Sequence, residues 1–201
     1  MKVAAIVGPT AVGKTEVSLR VAEELGAEIV SVDSMQIYRG MDVGTAKPSA
    51  ADMERVPHHL IDLRDPDHEL TVAEYQELGR GAIEDVGARD RLPLLVGGSG
   101  LYFRAVVDDL RFPPRSEEVR RELEVEAEEL GAAALYERLQ RLDPDAAARM
   151  EPGNVRRIVR ALEVIAITGS RFSDNTTWDR YRSRYDLAIA GLERDRAELH
   201  R

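Results

Sequence analysis

Residues 2–15 read KVAAIVGPTAVGKT, and this stretch decides the fold. Its first part, KVAAIV, is a short apolar run typical of a strand that is covered on both faces of a parallel sheet. The rest matches G-x-x-x-x-G-K-[ST], in which backbone N–H groups and a helix N-terminus wrap an anion. The pattern therefore predicts a diphosphate site formed by Gly8, Pro9, Thr10, Ala11, Val12, Gly13, Lys14 and Thr15. In such a loop the Lys14 side chain adds positive charge, and the Thr15 hydroxyl is suited to ligate Mg²⁺.

The sequence that follows the loop continues the same architecture. Apolar residues recur at every fourth position, which predicts a helix that ends near Gly26. Apolar runs predict further strands at 27–32, 92–96 and 186–191, whereas 40–67 is rich in Pro, Gly and charge and is expected to form loops or short irregular elements. A strand, a helix and a second strand in this order form a βαβ unit. We therefore predict an α/β protein with a P-loop NTPase-like parallel sheet core.

Composition changes in the second half of the chain. Four helical patterns, with no strand between them, lie between Pro113 and Ser170. The first is rich in acidic residues, which we interpret as a solvated face, and the last carries arginines on one side and apolar residues on the other. We predict an all-helical insertion over 113–170, inserted into a core formed by 1–112 and 171–201.

The composition excludes several classes of protein. Hydrophobic residues make up 43% and charged residues 32% of the chain, an ordinary globular balance. The absence of cysteine excludes a disulfide scaffold, a thiolate zinc site and a cysteine nucleophile. The net charge of −9 argues against a protein that coats nucleic acid indiscriminately. Short apolar runs, and a start that leaves no room for a signal peptide, lead us to expect a cytoplasmic protein with no membrane association and, by default, a monomer.

One acidic residue is well placed to act beside the phosphate loop. Asp33 follows the second predicted strand, and at the carboxyl end of a parallel strand it is expected to face the same crevice as the loop. The loop amides and Lys14 can stabilise a departing diphosphate, while Asp33 can serve as a general base. Ser99, in a Gly-rich turn after the third predicted strand, can hydrogen-bond the nucleophile or a phosphate oxygen. This set is suited to displacing diphosphate from carbon.

Several motifs together resemble those of the tRNA dimethylallyltransferase (tRNA isopentenyltransferase) family. They run in family order and are GPTAVGKT at 8–15, DSMQIY at 33–38, RGMDVGTAKP at 39–48, PHHLID at 57–62, GGSGLY at 97–102 and RIVRALE at 157–163. The resemblance implies transfer of a dimethylallyl group from dimethylallyl diphosphate to an exocyclic adenine amine. That adenosine lies just 3′ of the anticodon in tRNAs that read codons beginning with U, so the anticodon arm of tRNA is the implied partner and Mg²⁺ the implied cofactor.

The resemblance also implies roles for individual residues. Asp33 matches the general base, Thr15 lies near Mg²⁺, and Ser99 stands where the family usually has threonine, so these three are the expected catalytic residues. Gln36 offers the donor and acceptor needed to read a base edge, and an extruded adenine is implied. The residues expected to contact tRNA are Asp33, Ser34, Met35, Gln36, Ser99, Arg120, Arg121, Arg156, Arg157, Ile158, Val159 and Arg160. Family members continue well past residue 201, so we expect the C-terminal part of the family's core to be missing.

A basic segment supports RNA binding independently of that resemblance. Residues 154–185 contain seven arginines and three acids, a local charge of +4. Aromatic residues are interleaved with them, namely Phe172, Trp178, Tyr181 and Tyr185. Arginines contact phosphates and aromatic rings stack on bases, although the alternative is a solvated helix face followed by a loop. Arg156, Arg157 and Arg160 lie on one side of a helix whose opposite side is apolar, which favours RNA contact.

A group of histidines and aspartates suggests a metal site instead. His58, His59 and His68 lie close in sequence to Asp62 and Asp65. Adjacent histidines point apart in an extended segment, and the spacing fixes no third ligand nearby. We therefore favour packing of this loop over metal binding.

Three other functions fit parts of the pattern. A small-molecule kinase resembling shikimate kinase also pairs a phosphate loop with an Asp-containing turn and a Gly-rich turn, but it does not need an arginine-bearing helical insertion. A non-catalytic, nucleotide-gated RNA-binding module would bind tRNA without forming a product. A prenyltransferase that acts on free adenine nucleotides would share the chemistry, but a mononucleotide needs no arginine clamp.

Overall fold

The computed structural model describes residues 1–175 and 181–195. The chain divides into two compact units. The first comprises Met1–Leu110 and Tyr181–Arg201, and the second comprises Arg111–Arg180. In the described part of the chain, no helix has both the length and the apolar character needed to cross a lipid bilayer.

The first unit is built on a five-stranded parallel sheet. Its strands are β1 (Lys2–Val7), β2 (Ala27–Ser31), β3 (His58–His59), β4 (Leu92–Gly97) and β5 (Asp186–Gly191). They lie in the order β3-β2-β4-β1-β5. The predicted α/β class and the four predicted strands are confirmed. The short β3 arises within the region expected to be irregular, where it pairs with Ile29 and Val30 of β2.

Four helices accompany this sheet, and local signals set their ends. They are α1 (Lys14–Leu25), α2 (Ala50–Arg55), α3 (Val72–Ala88) and α4 (Gly100–Val107). Gly26 adopts φ 60° and ends α1, because a left-handed residue at that position costs glycine nothing. Thr71 and Glu74 form a capping box that begins α3.

Apolar side chains pack on both faces of the sheet. One cluster joins strand residues such as Val3 and Val30 to Tyr75, Ile83 and Val106 of α3 and α4. A second cluster packs other strand and loop residues against α1, and its buried members are Ile6, Leu19, Ala22, Ala27, Ile29, Val56 and Leu94. Burial on both faces explains why β1, β2 and β4 are largely apolar in sequence, whereas β5 is largely exposed.

All regular secondary structure described in the second unit is helical. It contains α5 (Glu117–Leu130), α6 (Ala132–Leu142), α7 (Pro144–Ala147), α8 (Val155–Thr168) and a 3₁₀ turn at Phe172–Asn175. Their apolar sides form one core, whose fully buried members include Leu135, Leu139, Ile158 and Leu162. The buried Asp143 caps α7 and also accepts hydrogen bonds from the backbone N–H and the hydroxyl of Ser173. A single carboxylate thus joins α7 to the 3₁₀ turn.

Candidate functional site

The phosphate loop leads from β1 to the N-terminus of α1. Gly13, the residue before α1, adopts φ 93°, and no side chain caps the helix. The first N–H groups of α1 are therefore left without an intrahelical or side-chain acceptor, as an anion-binding helix N-terminus requires. Ala11 also has a positive φ of 67°, so the loop holds a backbone conformation that residues with a side chain seldom adopt.

Lys14 is held inside the loop. Its ammonium donates a hydrogen bond to the Pro9 carbonyl at 2.7 Å. Burial lowers the pKa of Lys14, and the negative charge of Asp33 partly opposes that effect. A diphosphate would offer this partly desolvated ammonium a more strongly charged acceptor than the Pro9 carbonyl.

A cavity of about 560 Å³ opens beside the loop. It is lined by many of the residues expected at the site, namely Thr10, Ala11, Gly13, Lys14, Thr15, Asp33, Ser34, Met35, Gln36 and Ser99. Three loop residues, Gly8, Pro9 and Val12, do not line it, and Val12 is buried in the interior. The tertiary structure thus gathers the loop, the acid and the serine in one cavity, although these segments are far apart in sequence.

Asp33 sits in the turn that follows β2. Its Oδ1 accepts a hydrogen bond from the Met35 backbone N–H at 2.9 Å, which fixes the carboxylate in an Asx turn. Among the described residues, Oδ2 has no hydrogen-bond donor. One oxygen therefore holds the geometry, while the other can accept a proton from a bound molecule.

The Gly-rich turn after β4 allows backbone segments to approach closely. A Cβ atom on Gly97 would lie 2.3 Å from the Val32 carbonyl oxygen, and one on Gly98 would lie 3.0 Å from the Gly8 carbonyl oxygen. Ser99 follows as the N-cap of α4, yet its side chain makes no capping hydrogen bond. Its hydroxyl lines the cavity and is available to a ligand.

A loop over residues 42–48 forms another wall of the cavity. Gly44, Thr45, Ala46 and Pro48 line it. Sequence reasoning used this stretch only as part of a resemblance and assigned it no role at the site. The feature of the sequence that could have indicated such a role is the compact motif GTAKP at 44–48, in which small residues precede a lysine and a proline.

The Gln36 amide is engaged within the protein. Its Nε2 donates to the carbonyl oxygens of Thr45 at 3.1 Å and Ala46 at 3.0 Å, and its Oε1 accepts from the Ser31 hydroxyl at 2.8 Å. Both N–H bonds are therefore used to hold the 42–48 loop. In this conformation only the remaining lone pair of Oε1 is left for a contact with RNA, and a contact of Gln36 with a base edge stays a prediction.

The side chains of His58 and His59 contact different partners and do not share a common centre. The His58 Nδ1 lies 2.7 Å from the Val56 carbonyl oxygen, whereas the His59 Nε2 lies 2.7 Å from Oε2 of Glu28. Among residues 1–175 and 181–195, no group of three or more His, Cys, Asp or Glu side chains could hold a metal ion. Burial lowers the pKa of His58, which lines the cavity next to the 42–48 loop.

Two of the arginines predicted to contact tRNA are exposed on α8. Arg156 and Arg157 have no hydrogen-bond or ion-pair partner for their side chains in the described part of the chain, and the same holds for Arg121 on α5. Asn154 caps α8 by accepting from the backbone N–H of Arg157 at 3.2 Å. The cap starts α8 at Val155, and the two arginines that follow have their side chains in solvent.

Other residues in the same prediction have their side chains engaged within the protein. The Ile158 and Val159 side chains are buried in the core of the helical unit, and contact of these two residues with tRNA stays a prediction. Arg160 donates to the carbonyl oxygens of Pro113 and Pro114 and to Glu163. Arg120 donates to the same oxygen of Glu163 at 2.8 Å. Both guanidinium groups are therefore bound to the carboxylate of Glu163 inside the protein.

Glu163 is fully buried at the centre of that arrangement. Burial by itself disfavours its charged form, but hydrogen bonds from Arg120, from Arg160 and from the Ser116 backbone N–H outweigh this and hold the pKa of Glu163 below its ordinary value. The charged carboxylate therefore links α5 and α8, because Arg120 and Ser116 belong to the start of α5.

The aromatic residues of the basic segment have different surroundings. Phe172 and Tyr185 are partly buried against the apolar cores of their own units. Tyr181 is exposed, and the guanidinium carbon of Arg104 lies 4.3 Å from the centre of its ring. Trp178 lies outside the described residues. Stacking on RNA bases therefore stays a prediction for Tyr181 and Trp178.

Comparison with known proteins gives a consistent result. The model of the IPP transferase family matches residues 36–201. The chain is 50% identical to the tRNA dimethylallyltransferase of Geobacillus thermodenitrificans, over all of this chain and 64% of that relative. It is 57% identical to the tRNA dimethylallyltransferase of Roseiflexus sp. over 85% of this chain and 56% of that relative. The chain thus spans less than two thirds of the length of these curated relatives.

Solved structures resemble the chain as well. The full-length tRNA isopentenylpyrophosphate transferase of Bacillus halodurans superposes with a TM-score of 0.62 at 46% identity, covering 99% of this chain and 62% of that protein. A eukaryotic dimethylallyltransferase acting on tRNA superposes with a TM-score of 0.79 at 27% identity, covering 95% of this chain and 48% of that protein.

Proposed function

This chain belongs to the IPP transferase family, and from that premise we propose that it transfers a dimethylallyl group from dimethylallyl diphosphate to N6 of the adenosine next to the anticodon of tRNA. The observation that carries the proposal is the single cavity lined by the phosphate loop, Asp33 and Ser99. A diphosphate leaving group and a nucleophile that must lose a proton need these two kinds of group close together. The family assignment argues against the alternative of a small-molecule kinase.

In the proposed reaction, the adenine N6 atom forms a bond to the allylic C1 atom as the bond between C1 and the diphosphate oxygen breaks. The N6 proton passes to the free Oδ2 of Asp33, and the leaving diphosphate takes the electron pair of the broken bond. Lys14 and the N–H groups at the start of α1 stabilise the charge that develops on the diphosphate. The Ser99 hydroxyl lines the same cavity and can hydrogen-bond the amine or a phosphate oxygen.

We further propose that Mg²⁺ assists this reaction. The cavity wall offers hard oxygen donors, among them the Thr15 hydroxyl, and the described residues contain no cluster of three or more His, Cys, Asp or Glu ligands. That donor set fits an ion that keeps several waters and binds mainly through substrate phosphates. Thr15 would hold the ion, which would supply positive charge to neutralise the diphosphate.

The helical unit is the proposed source of phosphate contacts to the tRNA anticodon arm. Arg121, Arg156 and Arg157 are exposed and unpaired among the described residues, so their charges are available to RNA. Ser34 and Met35 line the cavity and are the proposed contacts with the acceptor nucleotide. That the protein works in the cytoplasm and as a monomer stays a prediction.

Replacing both Arg156 and Arg157 by alanine should weaken tRNA binding and reduce its salt dependence. Each phosphate contact to a single strand contributes about 0.7 to the slope of log affinity against log salt, so the slope should fall by about 1 to 1.5. The slope is measured by titrating fluorescent tRNA with the protein at several salt concentrations. Arg20→Ala, which removes an exposed charge on α1, is the matched control. An unchanged slope in the double variant would show that these arginines do not meet phosphates.

The direct test of the function is product analysis. Unmodified tRNA is incubated with dimethylallyl diphosphate, Mg²⁺ and the protein, and its anticodon-loop fragments are examined by mass spectrometry. We expect a mass increase of one dimethylallyl group on the fragment that carries the adenosine 3′ of the anticodon. The assay uses residues 1–201. Tight tRNA binding with no modified fragment would favour a non-catalytic RNA-binding module, and modification of free adenine nucleotides alone would favour the mononucleotide enzyme.

A further inference from the structure

The 42–48 loop lines the reaction cavity but has little regular structure of its own. Gly44 and Ala46 both adopt positive φ angles, of 79° and 50°, and the loop belongs to no helix or strand. A left-handed conformation is unfavourable for alanine, so it persists only where surrounding contacts impose it. What holds this loop in shape therefore decides the shape of one wall of the cavity.

The side chain of Lys47, in this loop, hydrogen-bonds to three separate segments of the chain. The Lys47 ammonium donates to the Tyr38 carbonyl oxygen at 2.9 Å, to Oδ1 of Asp42 at 2.6 Å and to Oδ1 of Asp62 at 2.7 Å. These partners lie after β2, within the 42–48 loop and after β3. An ammonium has three protons, and here each has an acceptor. The buried ammonium thus joins the base of the loop to both neighbouring segments.

The Lys47 side chain is buried and does not line the cavity. Its side chain is 5% exposed, and it is absent from the residues that line the cavity. Burial disfavours its charged form, but the hydrogen bonds and charges of Asp42 and Asp62 outweigh burial and raise its pKa above the ordinary value. The ammonium is therefore charged at neutral pH, and no proton of it is left for a substrate phosphate.

The choice of lysine is itself informative in this chain. Of its 28 basic residues only three are lysines, at positions 2, 14 and 47, and the rest are arginines. Lys14 belongs to the phosphate loop, where a compact charge is required. Lys47 likewise meets three acceptors around one nitrogen, a geometry that a planar guanidinium cannot reproduce.

We propose that Lys47 is a positioning residue for the transfer reaction, holding the 42–48 loop as a fixed wall of the substrate cavity. This inference rests on the proposed function for its kinetic part, but the positioning itself is a property of the chain alone. Gln36 supports the same loop at the two residues that precede Lys47, through the carbonyl oxygens of Thr45 and Ala46. The wall is thus held at residues 45–46 by an amide and at residue 47 by an ammonium.

The test compares Lys47→Met with Lys2→Met in the whole protein. Both changes replace an ammonium by a thioether of similar length, and Lys2 is exposed on β1. Hydrogen exchange measured by mass spectrometry should show amide exchange over 44–46 at least tenfold faster in Lys47→Met and unchanged in Lys2→Met. The KM for transfer should rise about ten- to a hundredfold with little change in kcat, because the loop shapes the cavity but supplies no reacting group.

Nitrogen NMR of the lysine side chains gives a separate readout. A slowly exchanging ammonium signal, absent in Lys47→Met, should be visible at neutral pH. Adding inorganic diphosphate should shift the signal of Lys14 and leave that of Lys47 in place, since only Lys14 lines the cavity. A direct shift of the Lys47 signal as large as that of Lys14 would overturn the positioning role in favour of ligand contact.

Further outcomes separate this inference from the proposed function. If the wild type forms no prenylated tRNA but Lys47→Met still speeds exchange over 44–46, the function fails and the positioning stands. If the wild type is active and Lys47→Met matches it in both exchange and KM, the positioning is wrong. Should Lys47→Met fail to fold, Asp42→Asn removes one acceptor charge from a carboxylate that is 66% exposed, and it should shift exchange and KM in the same direction by a smaller factor. If Asp42→Asn then changes neither amide exchange over 44–46 nor KM, the positioning role of Lys47 is wrong.

Discussion

Asp33→Asn should slow dimethylallyl transfer by about two to four powers of ten, which is the usual cost of losing a general base. The asparagine Oδ1 can still accept the hydrogen bond from the Met35 backbone N–H, so the Asx turn after β2 is retained. What is lost is a group able to take the N6 proton. Single-turnover kinetics with tRNA and dimethylallyl diphosphate measure the chemical step, and tRNA affinity should stay at the wild-type value.

The control for this prediction is Asp85→Asn, which removes an exposed carboxylate from α3 that does not line the cavity. Its transfer rate should equal that of the wild type. The Asp33→Asn substitution should also affect Lys14. Burial lowers the pKa of Lys14, and the negative charge of Asp33 partly opposes that effect. In Asp33→Asn the pKa of Lys14 should fall further. Turnover within a factor of a few of the wild type would remove Asp33 from the proton transfer.

Glu163→Gln should destabilise the protein by about 3–5 kcal/mol, the usual cost of breaking a buried ion pair from one side. The substitution leaves Arg120 and Arg160 without their shared carboxylate. It also weakens the acceptor for the Ser116 backbone N–H at the start of α5. Urea unfolding followed by circular dichroism measures the change. Glu128→Gln, on the exposed side of α5, should change the free energy of unfolding by no more than about 0.5 kcal/mol.

The same carboxylate predicts a pH dependence. Its pKa is lower in the folded than in the unfolded protein, where the ordinary value is 4.5. The stabilisation it supplies is therefore complete above pH 4.5 and is lost as the pH falls through the lower folded-state pKa. The difference in free energy of unfolding between wild type and Glu163→Gln should shrink over that acidic range. A difference that is small at pH 7, or constant on acidification, would contradict the buried pairing.

Prediction from sequence was reliable where the signal is local. The phosphate loop and the Gly26 end of α1 each depend on a few neighbouring residues, and each forms as those residues indicate. The four predicted strands are also confirmed. In β1, β2 and β4 the apolar residues are buried within the parallel sheet, whereas β5 is apolar in sequence but largely exposed. The placement of Asp33 beside the loop followed from the rule that parallel strands end at one edge of the sheet.

Prediction was weaker where a side chain's role depends on distant partners. The helical pattern of α8 placed Arg157 and Arg160 on the same polar side, yet only Arg157 is free among the described residues. Arg160 is joined to Pro113 and Pro114, which are far from it in sequence. The Gln36 amide was likewise expected to face RNA, whereas two carbonyl groups of the 42–48 loop take both its N–H bonds.

The four longer strands, the phosphate-loop motif and the end of α1 at Gly26 were readable from the printed residues, because each arises from interactions between neighbours along the chain. Only the tertiary structure shows which charged side chains are exposed to solvent and which form ion pairs inside the protein. Glu163 lies 43 residues from Arg120, and Lys47 lies 15 residues from Asp62. A periodic pattern tells which side of an element is polar, but the partner across space decides whether a charge binds a ligand or holds the protein together.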